Sequence, residues 1–300
     1  MCFFTKINVP TNNVVVMNKK IKTIQSPSSI NGLIPGVIGN RAFPTNNFTN
    51  SDPFLMLDHI GPQVVGKDWK LNGDGHDHPH RGFETLTFMF EGKMNHRDSM
   101  GNRAELNSGS VQRMNAGSGI IHGGDMEADV NTGRFHEMQL WVNLPQSKKM
   151  STPEIHNATV DNIPSIKKDA MELRVISGVL NGVDSLINTT TETQVGHLIA
   201  KGKGEMTIDS FKKSSNVMLY VLEGTATVSG TTLEAFQLGV MSQEGSEIEI
   251  STEGNAQLLL LAGTPLNEPI AFGGPFVMNS KEEIQQAQRD FQEGKFGKIS

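Results

Sequence analysis

Cysteine is almost absent from this chain, Cys2 being the only one. An internal disulfide is excluded, and with it disulfide scaffolds, paired-thiol redox motifs and thiolate zinc sites. Positive charge is also short: 26 Lys and Arg face 32 Asp and Glu, for a net charge of −6. Phosphate is bound by clustered cations, so a dominant face for direct nucleic-acid binding is not expected. The pairs Lys148-Lys149, Lys167-Lys168 and Lys212-Lys213 read as solvated surface. Apolar stretches such as residues 217–222 and 258–262 fall far short of the ~18 residues a membrane helix needs. The opening MCFFTKINVP meets a lysine after few apolar residues and does not read as a secretory leader. A cytoplasmic chain without a membrane partner is expected.

Turn formers are plentiful, with 31 Gly and 13 Pro. They punctuate short runs rich in β-branched and aromatic residues, at 13–17, 85–90, 134–144, 172–177, 216–222, 246–250 and 257–261. Closely spaced strands of this kind point to sandwiches or small barrels. One helix is expected. Ser280-Lys281-Glu282-Glu283 is a capping box, Ile284, Ala287 and Phe291 share a face that packs Phe291 on a sheet, and Gly294 supplies the stop. A chain of 300 residues suggests two domains, and a repeat supports this. Phe88-Met89-Phe90-Glu91-Gly92 resembles Tyr220-Val221-Leu222-Glu223-Gly224, and Gly109-Ser110-Val111 is echoed by Gly239-Val240-Met241. Two copies of one β-barrel, joined by residues 145–164, are expected.

The chemistry gathers in the first copy, where His59, His76, His78, His80 and His96 lie close in sequence. On a strand, residues i and i+2 face the same way, so His78 and His80 can enter one barrel together. The intervening Pro79 suits a strand start or edge. His122 follows the small residues of AGSGII, which allow a tight approach. Three imidazoles with open positions suit Fe(II), Mn, Ni, Cu or Zn. Taken alone, His-x-His reads as a chance surface pair.

The surrounding segments carry more. GHDHPHRGFET at 75–85, EGKMNHRDSMGN at 91–102, AGSGIIH at 116–122, QLWVNLP at 139–145, DPFLMLD at 52–58 and GGPFVMN at 273–279 together resemble the pirin family of cupins. The resemblance implies an all-β fold of two tandem cupin (double-stranded β-helix, jelly-roll) barrels with a short C-terminal helix. The first barrel, with the metal site, is expected over 14–150, a metal-free second barrel over 165–279, and the helix over 280–294. It also implies one divalent first-row metal, Fe(II) foremost, on His78, His80 and His122. The family's fourth ligand, a glutamate two residues beyond the last histidine, falls on Gly124. Either three histidines suffice, or Asp125 or Glu127 substitutes, or those two acids are simply a solvated loop. If the backbone follows the family, a carboxylate at 124 would project towards the metal. The competing reading is that Gly124 serves a positive φ.

Other residues near the site carry expectations of their own. Arg81 and Glu84 are expected to pair, either orienting the imidazoles or as a plain ion pair at the barrel mouth. His96 and His136 are expected to be hydrogen-bonded structural residues and His76 to be exposed. Met89, Met94, Met114 and Met138 are expected to fill the barrel. His59 stands where the family has an acidic residue. In the second copy the positions matching His78 and His80 are Ser210 and Lys212, and no histidine follows His197. Two functions fit. One is a quercetin 2,3-dioxygenase-type oxygenase taking O₂ and a flavonol or another enol-bearing aromatic. The other is a non-enzymatic regulator whose metal state alters contacts with a protein partner.

Overall fold

The computed structural model describes residues 17–299 other than 31, 74, 75, 210 and 213, so residues 13–16 of the first expected strand and Ser210 lie outside the described residues. Strands dominate, and the α-helix Lys281–Gln292 comes near the end of the chain. The expected all-β class with two barrels is what the chain forms.

Two large antiparallel sheets follow one plan. The first runs Glu154–Ala158, Ser110–Asn115, Phe83–Glu91, Arg134–Asn143, Phe54–Val64, Gly39–Phe43, Ser28–Ile30. The main path of the second runs Ile21–Gln25, Leu238–Met241, Asn216–Val228, Asn255–Gly263, Thr193–Lys201, Met171–Ser177, Ser165–Lys168. They correspond strand for strand, and both fragments of the sequence repeat fall on matching strands. The edges are exchanged. Ile21–Gln25 precedes the first barrel in the chain yet pairs with Leu238–Met241 of the second. Glu154–Ala158 leads towards the second barrel yet pairs with Ser110–Asn115 of the first. Each sheet thus has an open edge covered by the segment leading into the other half. A smaller sheet, including Lys93–Asp98, Ile120–Glu127 and His78–His80, closes the first barrel.

The two large sheets pack face to face through alternate residues. Met138, Leu140 and Val142 of Arg134–Asn143 join Leu86 and Phe88, and they meet Met218, Tyr220, Leu222, Leu259 and Leu261 of the other sheet in one buried cluster. Because the side-chain period along a strand is two, Glu137, Gln139 and Trp141 face the other way, into the first barrel. Met138 is therefore filling between the barrels, whereas Met89 and Met94 fill the first barrel and Met114 a small cluster beneath it. Inside the second barrel the space is aliphatic: Leu173, Val175, Leu198, Leu219, Val221, Leu258 and Leu260 form its core.

Three polar groups are also buried at the seam. The Tyr220 hydroxyl lies 3.1 Å from His59 Nδ1, and His59 Nε2 lies 2.7 Å from His136 Nε2. Burial pushes the two imidazoles down, to about 3 and about 2, so both are neutral and share one N–H between them.

The chain then returns to the first barrel. Val277 N–H donates to the Arg81 carbonyl, and the helix beyond has the expected capping box at Ser280 and Glu283. Its buried face carries Ile284, Ala287 and Asp290, while Phe291 is 37% exposed and only borders Phe276 and Phe296. Phe291 is thus a flank of the contact rather than its centre. Lys149 corrects the reading of Lys148-Lys149 as surface. It is 1% exposed, and its ammonium donates to the Gly82 and Val277 carbonyls and to Asn143 Oδ1 at 2.7–3.1 Å. A buried ammonium needs such partners, and this one ties the returning segment to the barrel.

Candidate metal centre and its cavity

His78–His80 pairs antiparallel with Ile120–Glu127, and the register sets His122 opposite His78 and Ile120 opposite His80. Period two then brings all three imidazoles to one face. Their ring centroids are 4.5–5.0 Å apart, and one nitrogen from each lies within 4.8 Å of the others. This is the only such cluster of metal-binding side chains among the described residues.

The other ring nitrogens explain the orientation. His78 Nδ1 lies 2.9 Å from the His76 carbonyl and His80 Nδ1 lies 3.2 Å from the Pro275 carbonyl. A carbonyl only accepts, so each Nδ1 carries the proton and each Nε2 keeps a lone pair for a metal. His80 Nε2 and His122 Nε2 are buried without any partner, a costly state in an apolar interior that a cation would relieve. Burial, reinforced by the neighbouring imidazoles, pushes His80 down to about 3 and His122 well below its usual value. Both stay neutral ligands far below the pH of about 6.5 at which free imidazole protonates. The donor set therefore fits a first-row dication.

Among the described residues no carboxylate joins the cluster. Asp125 accepts from Gly73 N–H at 2.8 Å and lies 3.6 Å from Arg97, and Glu127 lies 3.1 Å from Lys70. Both acids are on the strand Ile120–Glu127, with their side chains on the face opposite His122, so they are neither loop residues nor substitutes. Gly124 is glycine for lack of space. A methyl group there would overlap the Asn95 carbonyl and press on His96 Cα. Its backbone has no positive φ, which removes the conformational explanation, and no side chain fits there without displacing the neighbouring strand.

Arg81 and Glu84 do not pair. Arg81 donates to Asp290 at 2.8 Å and to the Ser118 carbonyl at 2.7 Å, with its guanidinium 4.6 Å from the centre of the Phe296 ring. It anchors the C-terminal helix, whose preceding segment delivers the Pro275 carbonyl to His80. Glu84 binds Arg113, and it accepts from the Thr190 N–H and hydroxyl at 2.9 and 2.7 Å, tying the two halves together. His96 backs onto His122, its Nε2 being 3.1 Å from Asp98, and His76 is exposed. In the second barrel Lys212, the counterpart of His80, is an exposed partner of Glu192.

The cluster opens onto a cavity of about 520 Å³. His78 and His80 form one side, the Trp141 ring lies 5.3 Å from His80, and Leu55, Met56 and Ile60 make much of the wall. Besides Arg41, three polar side chains face it from the sheet. Asp58 is held by Arg41 through bonds of 2.6 and 2.7 Å, and Gln139 accepts from the Trp141 indole at 2.8 Å. Glu137 is the third. It was invisible as a site residue in the sequence, though its alternation with Gln139 and Trp141 on one strand was a readable signal.

Sequence comparison identifies the pirin domain over residues 36–142 and the pirin C-terminal cupin domain over 197–297. A pirin-like protein of Caulobacter vibrioides is 38% identical over 263 residues, covering 87% of this chain and 93% of that protein. The crystal structure of quercetin 2,3-dioxygenase from Acinetobacter baumannii, 32% identical, superposes with a TM-score of 0.86 over 95% of this chain and 100% of that one. Bacterial pirin YhhW from Escherichia coli, crystallised with nickel(II), shares the fold at 17% identity and a TM-score of 0.63, over 81% of this chain and 99% of that one. With both domains matched in order and relatives aligned over most of its length, the chain belongs to the pirin family.

Proposed function

We propose that this protein is a quercetin 2,3-dioxygenase-type enzyme that holds Fe(II) on His78, His80 and His122 and takes O₂ and a flavonol or another enol-bearing aromatic. The observation that carries the reading is the cavity. Its volume of about 520 Å³ lies within the range of small-molecule sites, and its wall is mostly apolar with a few convergent polar groups. When bound, the metal supplies Lewis acidity and a template that brings the two substrates together. The residues supply the rest. Trp141 offers a flat face for an aromatic ring, the aliphatic wall excludes water, and the Pro275 and His76 carbonyls hold the imidazoles in the ligating tautomer. Kinship with the Acinetobacter baumannii quercetin 2,3-dioxygenase supports the substrate class. A regulator acting through protein contacts needs no apolar cavity beside the imidazoles, and that cavity favours the enzyme. Oxygen uptake by Fe(II)-loaded protein across a flavonol panel tests the proposal. Uptake that requires both metal and flavonol is expected, and none with any flavonol would reject it.

A further inference from the structure

Within that cavity one group has no evident structural employment. Glu137 lies on Arg134–Asn143, opposite Ile60 of Phe54–Val64, and lines the same space as His78 and His80. Its residue is 2% exposed, and its Oε2 has no hydrogen-bond partner. Every other polar side chain on that wall is occupied: Asp58 by Arg41, and the Gln139 oxygen by the Trp141 indole. An unsatisfied buried carboxylate oxygen is expensive, and one that lines a cavity can be completed by a ligand held there.

We propose that Glu137 accepts the proton of an acidic hydroxyl on an aromatic ligand held in this cavity. The inference rests on the proposed function and names the residue that would activate its substrate. In the step, the ligand O–H bond breaks and an Oε2–H bond forms, with the electron pair staying on the ligand oxygen. Glu137 becomes a neutral acid, and the ligand becomes an enolate or phenolate. Transfer removes a negative charge from beside Asp58 and leaves Glu137 a donor that can hydrogen-bond back to the new anion. The charged and titratable groups facing it are Asp58, Arg41, His78 and His80. Burial, and secondarily Asp58, pushes the Glu137 carboxyl up to about 7, which suits a base working near neutrality. With Gly124 closed to any side chain, Asp125 and Glu127 engaged elsewhere and Asp58 paired with Arg41, Glu137 is the carboxylate free of an ion pair on this cavity among the described residues.

The test compares Fe(II)-loaded wild type, Glu137→Gln and Glu137→Asp with quercetin. Metal content, tryptophan quenching by quercetin under anaerobic conditions and oxygen uptake from pH 5.5 to 9 are measured. Gln is isosteric and removes only the buried charge, so the fold and metal content should be unchanged and quercetin affinity altered by no more than about threefold. Oxygen uptake should fall by about 100-fold or more, losing the rise through pH 7, with partial recovery in Glu137→Asp. Uptake in Glu137→Gln matching wild type in rate and pH profile would overturn the role of Glu137 while leaving the proposed function intact. Failure of wild type to bind or oxidise quercetin would overturn both.

Discussion

The two barrels share a frame and differ in what points inwards. Strand Arg134–Asn143 sits between Phe83–Glu91 and Phe54–Val64, as Asn255–Gly263 sits between Asn216–Val228 and Thr193–Lys201. Outward residues match: Met138 and Leu140 on one strand, and Leu259 and Leu261 on the other, bury the seam. Inward residues do not. The first barrel has Glu137, Gln139 and Trp141 where the second has Leu258, Leu260 and Ala262. Aliphatic side chains close the second interior at about 25 cal/mol per Å² of apolar surface buried. The first interior forgoes that packing and leaves room for a ligand and unpaired nitrogens. One barrel is filled by aliphatic side chains and the other keeps a cavity beside three imidazoles, and the face-to-face seam joins them.

Exchanging inward residues should break the comparison most severely in the filled barrel. Leu260→Glu places an unpaired carboxylate in an aliphatic core and should cost more than about 4 kcal/mol, enough to abolish the cooperative unfolding transition. The opposite change is mild. Glu137 is pushed up to about 7 from the usual 4.5, so between these values the native state holds a proton that the unfolded chain releases. The Glu137 contribution to stability therefore falls as pH rises through this window and levels off above it, opposite in sign to that of the buried neutral imidazoles. Glu137→Gln removes that loss and should exceed wild type above pH 7, by at most about 3 kcal/mol, with no gain near pH 4. Thermal melts across pH read both changes.

Next in size is the tie between the first barrel and the returning chain. Lys149→Ala strands two carbonyls and the Asn143 oxygen in the interior and should cost about 3 kcal/mol in chemical denaturation. Gly124→Glu follows, at about 1–3 kcal/mol of overpacking, with no gain in Fe(II) affinity. Tighter Fe(II) binding there would show that the strand yields and admits a fourth ligand. Arg81→Ala is the smallest. It releases Asp290 and loosens the segment that carries Pro275, so Fe(II) affinity should fall about tenfold with little change in the melting temperature of the second barrel.

The strands, the repeat and the helix cap were legible because each follows a local rule, whereas the resemblance to the pirin family added His122 to His78 and His80 as a ligand set. Period two set His78 beside His80, turn residues bounded the strands, and Ser280 and Glu283 wrote out their own cap. What stayed hidden is long-range. His80 takes its carbonyl from a residue 195 positions away, Arg81 its carboxylate from 209 away, and Lys149 an acceptor from 128 away. No local pattern encodes such contacts, so Arg81 was paired with its neighbour Glu84, and Lys149 was assigned to the surface with Lys148. Alternation at Glu137 was visible, yet a polar face on a strand reads as solvent unless a second layer is known to cover it. Gly124 is similar, since its reason is the Asn95 carbonyl on an adjacent strand.

The asymmetry between the barrels is tested most directly by metal stoichiometry. Wild type, His122→Ala and His197→Ala, each loaded anaerobically with Fe(II), desalted and analysed by mass spectrometry for metal per chain, carry the comparison. His122 belongs to the trio, whereas His197 in the second barrel bonds Gln257 at 2.9 Å. One iron per chain is expected in wild type and in His197→Ala, and nearly none in His122→Ala. Full iron in His122→Ala, or a loss in His197→Ala, would contradict the assignment of the metal to the first barrel.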